Sequence, residues 1–386
     1  MKYKATIFTA ALLGSAAMLG TALPAHADIN VCITVSATGP AASLGVPERN
    51  TAEFLPAEVA GHKINYTMYD DATDAALATR NARKCVEEDR ADVIIGSSTT
   101  PTSLATATVG QETGTPVIAM APINPPAEVH PWSFRTPQHV SQMADALIAH
   151  MKDNGVTTLG FIGYADAYGE DWLNVMNASL EGTGITMAPV ERFARTDTSV
   201  TGQVLQLVAA NPQAVLVVAS GTPAAMPNIA LKERGYAGTI YHTHGSASRD
   251  FIRVAGDAAE GTILPVGPVV VGAQLPDSHD SKALSVEYAR LYEDRFGAGS
   301  LSSFGGHMFD AGQLISAAIP VALETGAQPG TPEFRSAMRD ALEGLEEVVG
   351  VHGVFNMTPE DHFGHDARSR VLIMVEGGDW KLISAE

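Results

Sequence analysis

The strongest constraint on this 386-residue chain is an alternation of strand-like and helix-like segments that begins near residue 29 and then begins again after residue 137. Short runs rich in Val, Ile and Thr occupy 29–35, 63–69, 92–96 and 116–120, with helix-like segments between them near 47–60, 73–89 and 101–113. Strand, helix and strand in series form a crossover unit, which requires a parallel sheet covered on both faces. After Pro137 the series restarts: 139–152 sets Met143, Leu147, Ile148 and Met151 on one helical stripe, and strand-like runs follow at 156–163, 185–193, 214–219, 239–243 and 261–266. The chain reads as α/β, with two Rossmann-like lobes built on parallel sheets.

The remaining residues do not make a third unit. A helix over 281–296 aligns Leu284, Tyr288, Leu291 and Tyr292, a second follows Gly305 with a kink expected at Pro320, and a third begins at Thr331 with Pro332 in its first turn. These helices are expected to return to the first half. The strand-like pieces 351–357, 371–376 and 379–383 would then finish the second. The boundaries that follow are a leader at 1–27, a first lobe of 28–136 plus 267–350, and a second of 137–266 plus 351–386. Such a path crosses between lobes three times, near 135–137, 266–268 and 350–354, and three parallel connections make a three-strand hinge.

Residues 1–27 read as an export signal. Lys2 and Lys4 precede a run rich in Ala, Leu and Gly over 7–23, and Ala25-His26-Ala27 supplies small residues for cleavage before Asp28. Thr9, Ser15 and Thr21 interrupt the run, which falls short of the ~20 residues a spanning helix needs. The expected location is the periplasm, with no lipid anchor because Asp28, not Cys, follows the cleavage site. A formal charge of −19 makes nucleic acid a poor partner. Charged residues at 17% beside 45% hydrophobic ones indicate a packed globule, not an acidic disordered chain. Only Cys32 and Cys85 are present, which excludes zinc frameworks of several thiolates. They fit either a disulfide between the first strand and a helix or two buried thiols.

Ligands of open parallel sheets bind beyond the carboxyl ends of the strands. In the first half those loops are built from small and hydroxylated residues: 36–45 with Leu44, then Ser97-Ser98-Thr99-Thr100-Pro101, then Ala119-Met120-Ala121-Pro122. Pro101 suits the start of a helix whose free N–H groups attract a carboxylate, with Thr100 either facing the ligand or capping its helix. In the second half the loops carry Tyr168, Gly221-Thr222-Pro223, and His242 and His244. Gly-x-Ser-x-Gly, a phosphate-binding Gly-Lys loop and a dinucleotide fingerprint are absent, so neither a catalytic residue nor a cofactor is assigned. A His-x-His pair also occurs in metal-dependent hydrolases, but the other strand-end loops supply no further ligands. Asp70-Asp71 and Glu87-Glu88 read as solvated surface or turn residues, not catalytic carboxylates.

Thr38-Gly39-Pro40, Tyr69-Asp70-Asp71-Ala72, Ile95-Gly96-Ser97-Ser98, Phe134-Arg135-Thr136, Tyr168-Gly169 and Ala259-Glu260-Gly261-Thr262 occur in an order and spacing that resembles the branched-chain amino-acid-binding type of periplasmic binding protein, with the type I fold. The resemblance implies closure of two lobes around a small ligand and delivery to an inner-membrane ABC permease by a monomer. It also implies that Thr100 contacts the ligand carboxylate, Ala121 contributes a backbone contact and Tyr168 an aromatic one. Two positions depart from the family pattern. Ile123 stands where a Thr is usual, and Gly245-Ser246-Ala247 stands where a Glu usually pairs with the α-ammonium. An unpaired buried ammonium costs several kcal/mol. The expected ligand is therefore an organic acid without an ammonium, held by Leu44, Ser98, Thr99, Thr100, Ala119, Ala121, Tyr168, Thr222, His242 and His244. An amino acid or amide is the alternative, and an exported hydrolase using His242 and His244 a more distant one.

Overall fold

The computed structural model describes residues 27–385, so the leader read at 1–27 lies, apart from Ala27, outside the described residues. In chain order the first half contains β1 (Ile29–Val35), α1 (Ala42–Thr51), β2 (Glu58–Val59), β3 (His62–Asp70), α2 (Ala75–Glu87), β4 (Val93–Ile95), α3 (Thr100–Thr113), β5 (Val117–Ala119) and β6 (Ser133–Arg135). There follow α4 (Val140–Asp153), β7 (Thr158–Tyr164), α5 (Ala167–Ser179), β8 (Thr186–Phe193), α6 (Thr201–Ala210), β9 (Ala214–Val218), α7 (Ala225–Glu233), β10 (Thr239–His242), α8 (Arg249–Ala255) and β11 (Ile263–Val266). The last third holds α9 (Lys282–Phe296), α10 (Ser303–Glu324), α11 (Pro332–Glu343), β12 (Val348–Val349), β13 (Val354–Phe355), β14 (Val371–Glu376) and β15 (Asp379–Ser384).

The central strands are continuous apolar runs because both of their faces are covered: β4 and β9 are buried at every residue. The first sheet runs β2-β3-β1-β4-β5-β6, and all its pairs are parallel except the short β2. The second runs β15-β14-β11-β10-β9-β7-β8, parallel from β8 to β11 and antiparallel at β14 and β15. In each sheet the order reverses beside its first strand, between β1 and β4 and between β7 and β9. Helices leave opposite faces at such a point and open a crevice over the strand ends.

Each sheet has its own core. Ile33, Val93, Ile95 and Ile118 pack against Met308, Leu314 and Ile315 of α10 and Phe334 and Met338 of α11, so the late helices return to the first sheet as expected. Its other face packs Ile94, Val109 and Val117 around Cys32 and Cys85, which form a disulfide with a Cα separation of 5.6 Å. This decides between the two readings of the cysteines. The second core gathers Phe161, Trp172, Val215, Leu216 and Phe251.

Two sequence expectations shift, and Pro320 lies inside a helix. The helix expected at 47–60 is α1, at Ala42–Thr51, followed by a 3₁₀ turn, so the end of the span read as a loop over 36–45 lies inside it. The helix α10 continues through Pro320 to Glu324. The piece 351–357 does not finish the second sheet: β13 pairs with β12, and Phe355 and Met357 bury themselves in the first core. The third passage between the sheets therefore lies between Met357 and Val371, not at 350–354. Gln138, in the first passage, donates to the carbonyls of His352 and Ser369, at 3.1 and 2.7 Å, and so ties the connections together.

Candidate functional site

The carboxyl ends of both sheets meet around a small cavity of about 30 Å³, well below the ~300–1,000 Å³ typical of small-molecule sites. The halves touch at its rim. The Thr222 N–H donates to Ser43 Oγ at 3.2 Å, and the Ser303 N–H to the Ala247 carbonyl at 3.2 Å. Gly221, at φ +62°, lies against Ser43 and Leu44 so closely that a Cβ would collide with both side chains.

The first-half wall is small and neutral: Leu44, Ser98, Thr99, Thr100, Met120, Ala121 and Pro122. Gly96 makes this loop possible, because its φ of +147° and missing Cβ let the chain leave β4 directly over Thr34. Thr99 is the N-cap of α3 and forms a capping box with Thr102, so the cap sits one residue before Thr100. The Thr100 N–H occupies the first helical position, where an α-helix has no internal acceptor. Its hydroxyl is already committed, donating to the Pro122 carbonyl at 3.0 Å. The Thr100 hydroxyl is thus not free for a ligand, and Ser98 Oγ is itself bonded to Glu48 and to the Ser36 N–H.

The second-half wall is aromatic, imidazole and cationic. Asp166 caps α5 by accepting from the N–H groups of Tyr168 and Gly169, and the same carboxylate holds Arg195 Nε at 2.5 Å. Arg195 Nη1 donates to Ser220 Oγ at 3.0 Å, and its guanidinium lies 4.1 Å from the centre of the Tyr164 ring. Nη2 takes no protein acceptor among the described residues. Tyr168 shares a hydrogen bond with Thr243 Oγ1 at 2.7 Å, and burial raises its phenol pKa. The His244 ring lies between Tyr168 and Trp172 with neither nitrogen partnered by protein. Burial, reinforced by His352, drives its pKa down to about 4, so it is a neutral imidazole at physiological pH.

Pro137, Phe304 and His307 close the hinge side. His307 stacks on His352 with ring centres 3.8 Å apart, and its Nδ1 is also unpartnered. His352 in turn pairs through Nδ1 with Asp310 Oδ2 at 3.0 Å, both fully buried. Burial, then His352, His244 and His365, hold His307 well below its usual pKa.

Of the ten expected ligand contacts, Leu44, Ser98, Thr99, Thr100, Ala121, Tyr168 and His244 line this cavity. Three do not. Ala119 is buried in a small core with Ala107 and Ile123. Thr222 bridges the rim to Ser43. His242 turns into the second core, its nitrogens engaged by Ser246 Oγ at 2.7 Å and Asn228 Oδ1 at 2.5 Å. His242 ends β10, whereas His244 has left the strand and opens a 3₁₀ turn. With its nitrogens engaged, His242 cannot share an ion with His244. The one grouping of three possible metal ligands among the described residues is Cys32, Cys85 and Asp89, whose sulfurs are bonded to each other. Of the acidic pairs read as surface or turn residues, Asp71 stands at the turn after β3 and is fully buried, while Glu87 and Glu88 are exposed.

Sequence reasoning missed Arg195, Ser220 and His307. Arg195 follows β8 by two residues and Ser220 follows β9 by two, both beside the switch point of the second sheet. An isolated cation in a strand-end loop of so acidic a chain was the available signal. His307 comes from α10, which no strand-end rule selects.

A family model described as periplasmic binding protein matches residues 28–374. A solved extracellular ligand-binding receptor from Rhodopseudomonas palustris HaA2 is 48% identical, with a TM-score of 0.91 over 92% of this chain and 100% of that one. A Leu/Ile/Val-binding protein homolog from Brucella melitensis biotype 1 is 24% identical over 261 residues, 64% of this chain and 70% of that protein. A solute-binding protein of an ABC transporter from R. palustris, solved in complex with benzoate, shares the fold at 19% identity and a TM-score of 0.74, covering 92% of this chain and 96% of that one.

Proposed function

This chain belongs to the periplasmic binding protein family, and from that premise we propose that it encloses a small organic acid lacking an α-ammonium and presents it to an inner-membrane ABC permease. Proteins of this family bind small molecules and work with such permeases; the choice of an acid rests on the cavity. The observation that carries it is the charge of the lining: Arg195, paired through Nε with Asp166 at 2.5 Å, is the one charged residue there, and no aspartate or glutamate lines the cavity among the described residues. A carboxylate near Arg195 Nη2 gains a charge-assisted hydrogen bond. An ammonium would meet a cation and no counter-charge.

Ser98 Oγ and the Thr100 N–H supply further donors, and Tyr168, Met120 and Phe304 supply apolar surface. Gly245 favours the same reading. A Cβ there would lie 2.6 Å from the Ala219 carbonyl and 2.8 Å from the Tyr168 hydroxyl, so an acidic side chain has no room. The benzoate bound to the R. palustris solute-binding protein makes an aromatic acid a reasonable first probe.

The name of the Brucella relative favours a second reading, a branched-chain amino acid. Its ammonium would have to be accepted by the unpartnered nitrogens of His244 and His307. Titration calorimetry with benzoate, benzamide and leucine separates the two. Binding of benzoate alone is the expected result; binding of leucine without benzoate would reverse the assignment. The same reading places the mature protein in the periplasm as a monomer, checked by N-terminal sequencing of the exported product and by light scattering.

A further inference from the structure

Glu48 lies in α1, directly behind the first-half wall, and is fully buried. One of its carboxyl oxygens, Oε2, is hydrogen-bonded to Ser98 Oγ; the other, Oε1, is buried without any partner. Asp71, a second buried carboxyl behind the same loop, is treated differently. It accepts from Ser36 Oγ at 2.7 Å, the Thr73 N–H at 3.0 Å, Thr34 Oγ1 at 3.4 Å and Ser97 Oγ. Four donors solvate Asp71, and one touches Glu48. Burial outweighs the Ser98 hydrogen bond and holds the Glu48 pKa well above the ordinary carboxylate range, with the field of Asp71 adding in the same direction.

The decisive geometry is at Ser98 Oγ, which has one proton to give and two lone pairs to fill. The Ser36 N–H fills one lone pair at 2.8 Å. An ionised Glu48 would claim the Ser98 proton and turn a lone pair toward the cleft, where it would repel an acid. A protonated Glu48 donates instead, fills the second lone pair, and leaves the Ser98 proton directed at the cavity. We infer that Glu48 is a positioning residue that stays protonated and makes Ser98 a donor to the ligand's acid group. This rests on the carboxylate reading of the site. No proton is transferred: Glu48 keeps its own as donor to Ser98 Oγ, and Ser98 keeps its own as donor to the ligand.

Infrared difference spectroscopy of the full chain at neutral pH, wild type against Glu48→Gln, is the first test. A protonated-carboxyl C=O band that disappears in Glu48→Gln is expected, and its absence overturns the inference. Benzoate titration is the second. Glu48→Gln, whose amide donates as the acid does, should bind within threefold of wild type, while Glu48→Leu and Ser98→Ala should each weaken binding about tenfold. Combining Glu48→Leu with Ser98→Ala should cost little more than either alone, because both act through one hydroxyl. Additive losses, or unchanged affinity in Ser98→Ala, would overturn it. A clear C=O band in a protein that binds leucine but no benzoate would leave Glu48 protonated and sink the carboxylate reading instead.

Discussion

The two walls of the cleft occupy equivalent positions, each at the switch point of a parallel sheet, yet they are made of opposite materials. The first-half wall carries no charged residue, and its polarity comes from hydroxyls, a helix N-terminus and the buried acid behind Ser98. The second-half wall carries Arg195, Tyr168 and His244. The comparison teaches that a shared scaffold fixes where a ligand sits, while loop chemistry decides which part of it each side holds. On the proposed carboxylate reading, the neutral wall would contribute direction and the charged wall most of the attraction.

The largest test of this division is acidification. His242, His244 and His365 are fully buried, and burial lowers their pKa values to about 3, 4 and 4. In the unfolded chain they would titrate near ~6.5. Between those limits the unfolded state binds more protons, so stability is complete above about pH 6.5 and falls as pH drops toward 4. A loss on the order of 10 kcal/mol across this window is expected. Urea melts at a series of pH values check it; a flat profile would show that these imidazoles are not held neutral.

Arg195→Met is next. It removes the cation and should weaken benzoate binding by about 2–5 kcal/mol, read by calorimetry. An effect below tenfold would mean that the charged wall does not anchor the acid. Replacing both Cys32 and Cys85 by Ser should lower stability by about 2–4 kcal/mol in thermal melts. Because the bridge lies on the α2–α3 face of the first sheet, benzoate affinity should hardly change. The smallest effect belongs to Thr100→Val. Loss of the hydrogen bond to Pro122 should cost about 0.5–1.5 kcal/mol of stability, with affinity within threefold, since the N–H remains. A large loss of affinity there would return the role of carboxylate donor to the Thr100 hydroxyl.

The fold was legible because its signal is periodic. Buried parallel strands spell continuous Val and Ile runs, and crossover helices must separate them. Element boundaries were less legible, as with α1, which starts at Ala42 inside a span read as loop. Pieces of two residues, such as β13, carry no period at all. In the site, the loop after β4 was legible as a string of hydroxyl residues opening a helix. Which hydroxyl caps and which faces the ligand depends on a one-residue shift of the helix start, and composition does not encode it. Arg195 was hidden because its role arises from Asp166, 29 residues earlier in the chain, and Ser220, 25 residues later. His242 and His244 look alike in sequence, but His242 ends β10 inside the core while His244 opens a 3₁₀ turn that brings its ring to the cavity.

The interleaved path of the chain has a consequence for how the molecule is made. Strands contributed by residues 29–135 wait for Met308, Phe334 and Phe355 before their apolar face is covered, and β11 gains its outer neighbour only with β14. Neither half can be cut out as one uninterrupted stretch, and contacts of such long sequence separation form late. A truncation before residue 371 should therefore expose the β11 edge, making the final hairpin a cap against edge-to-edge association.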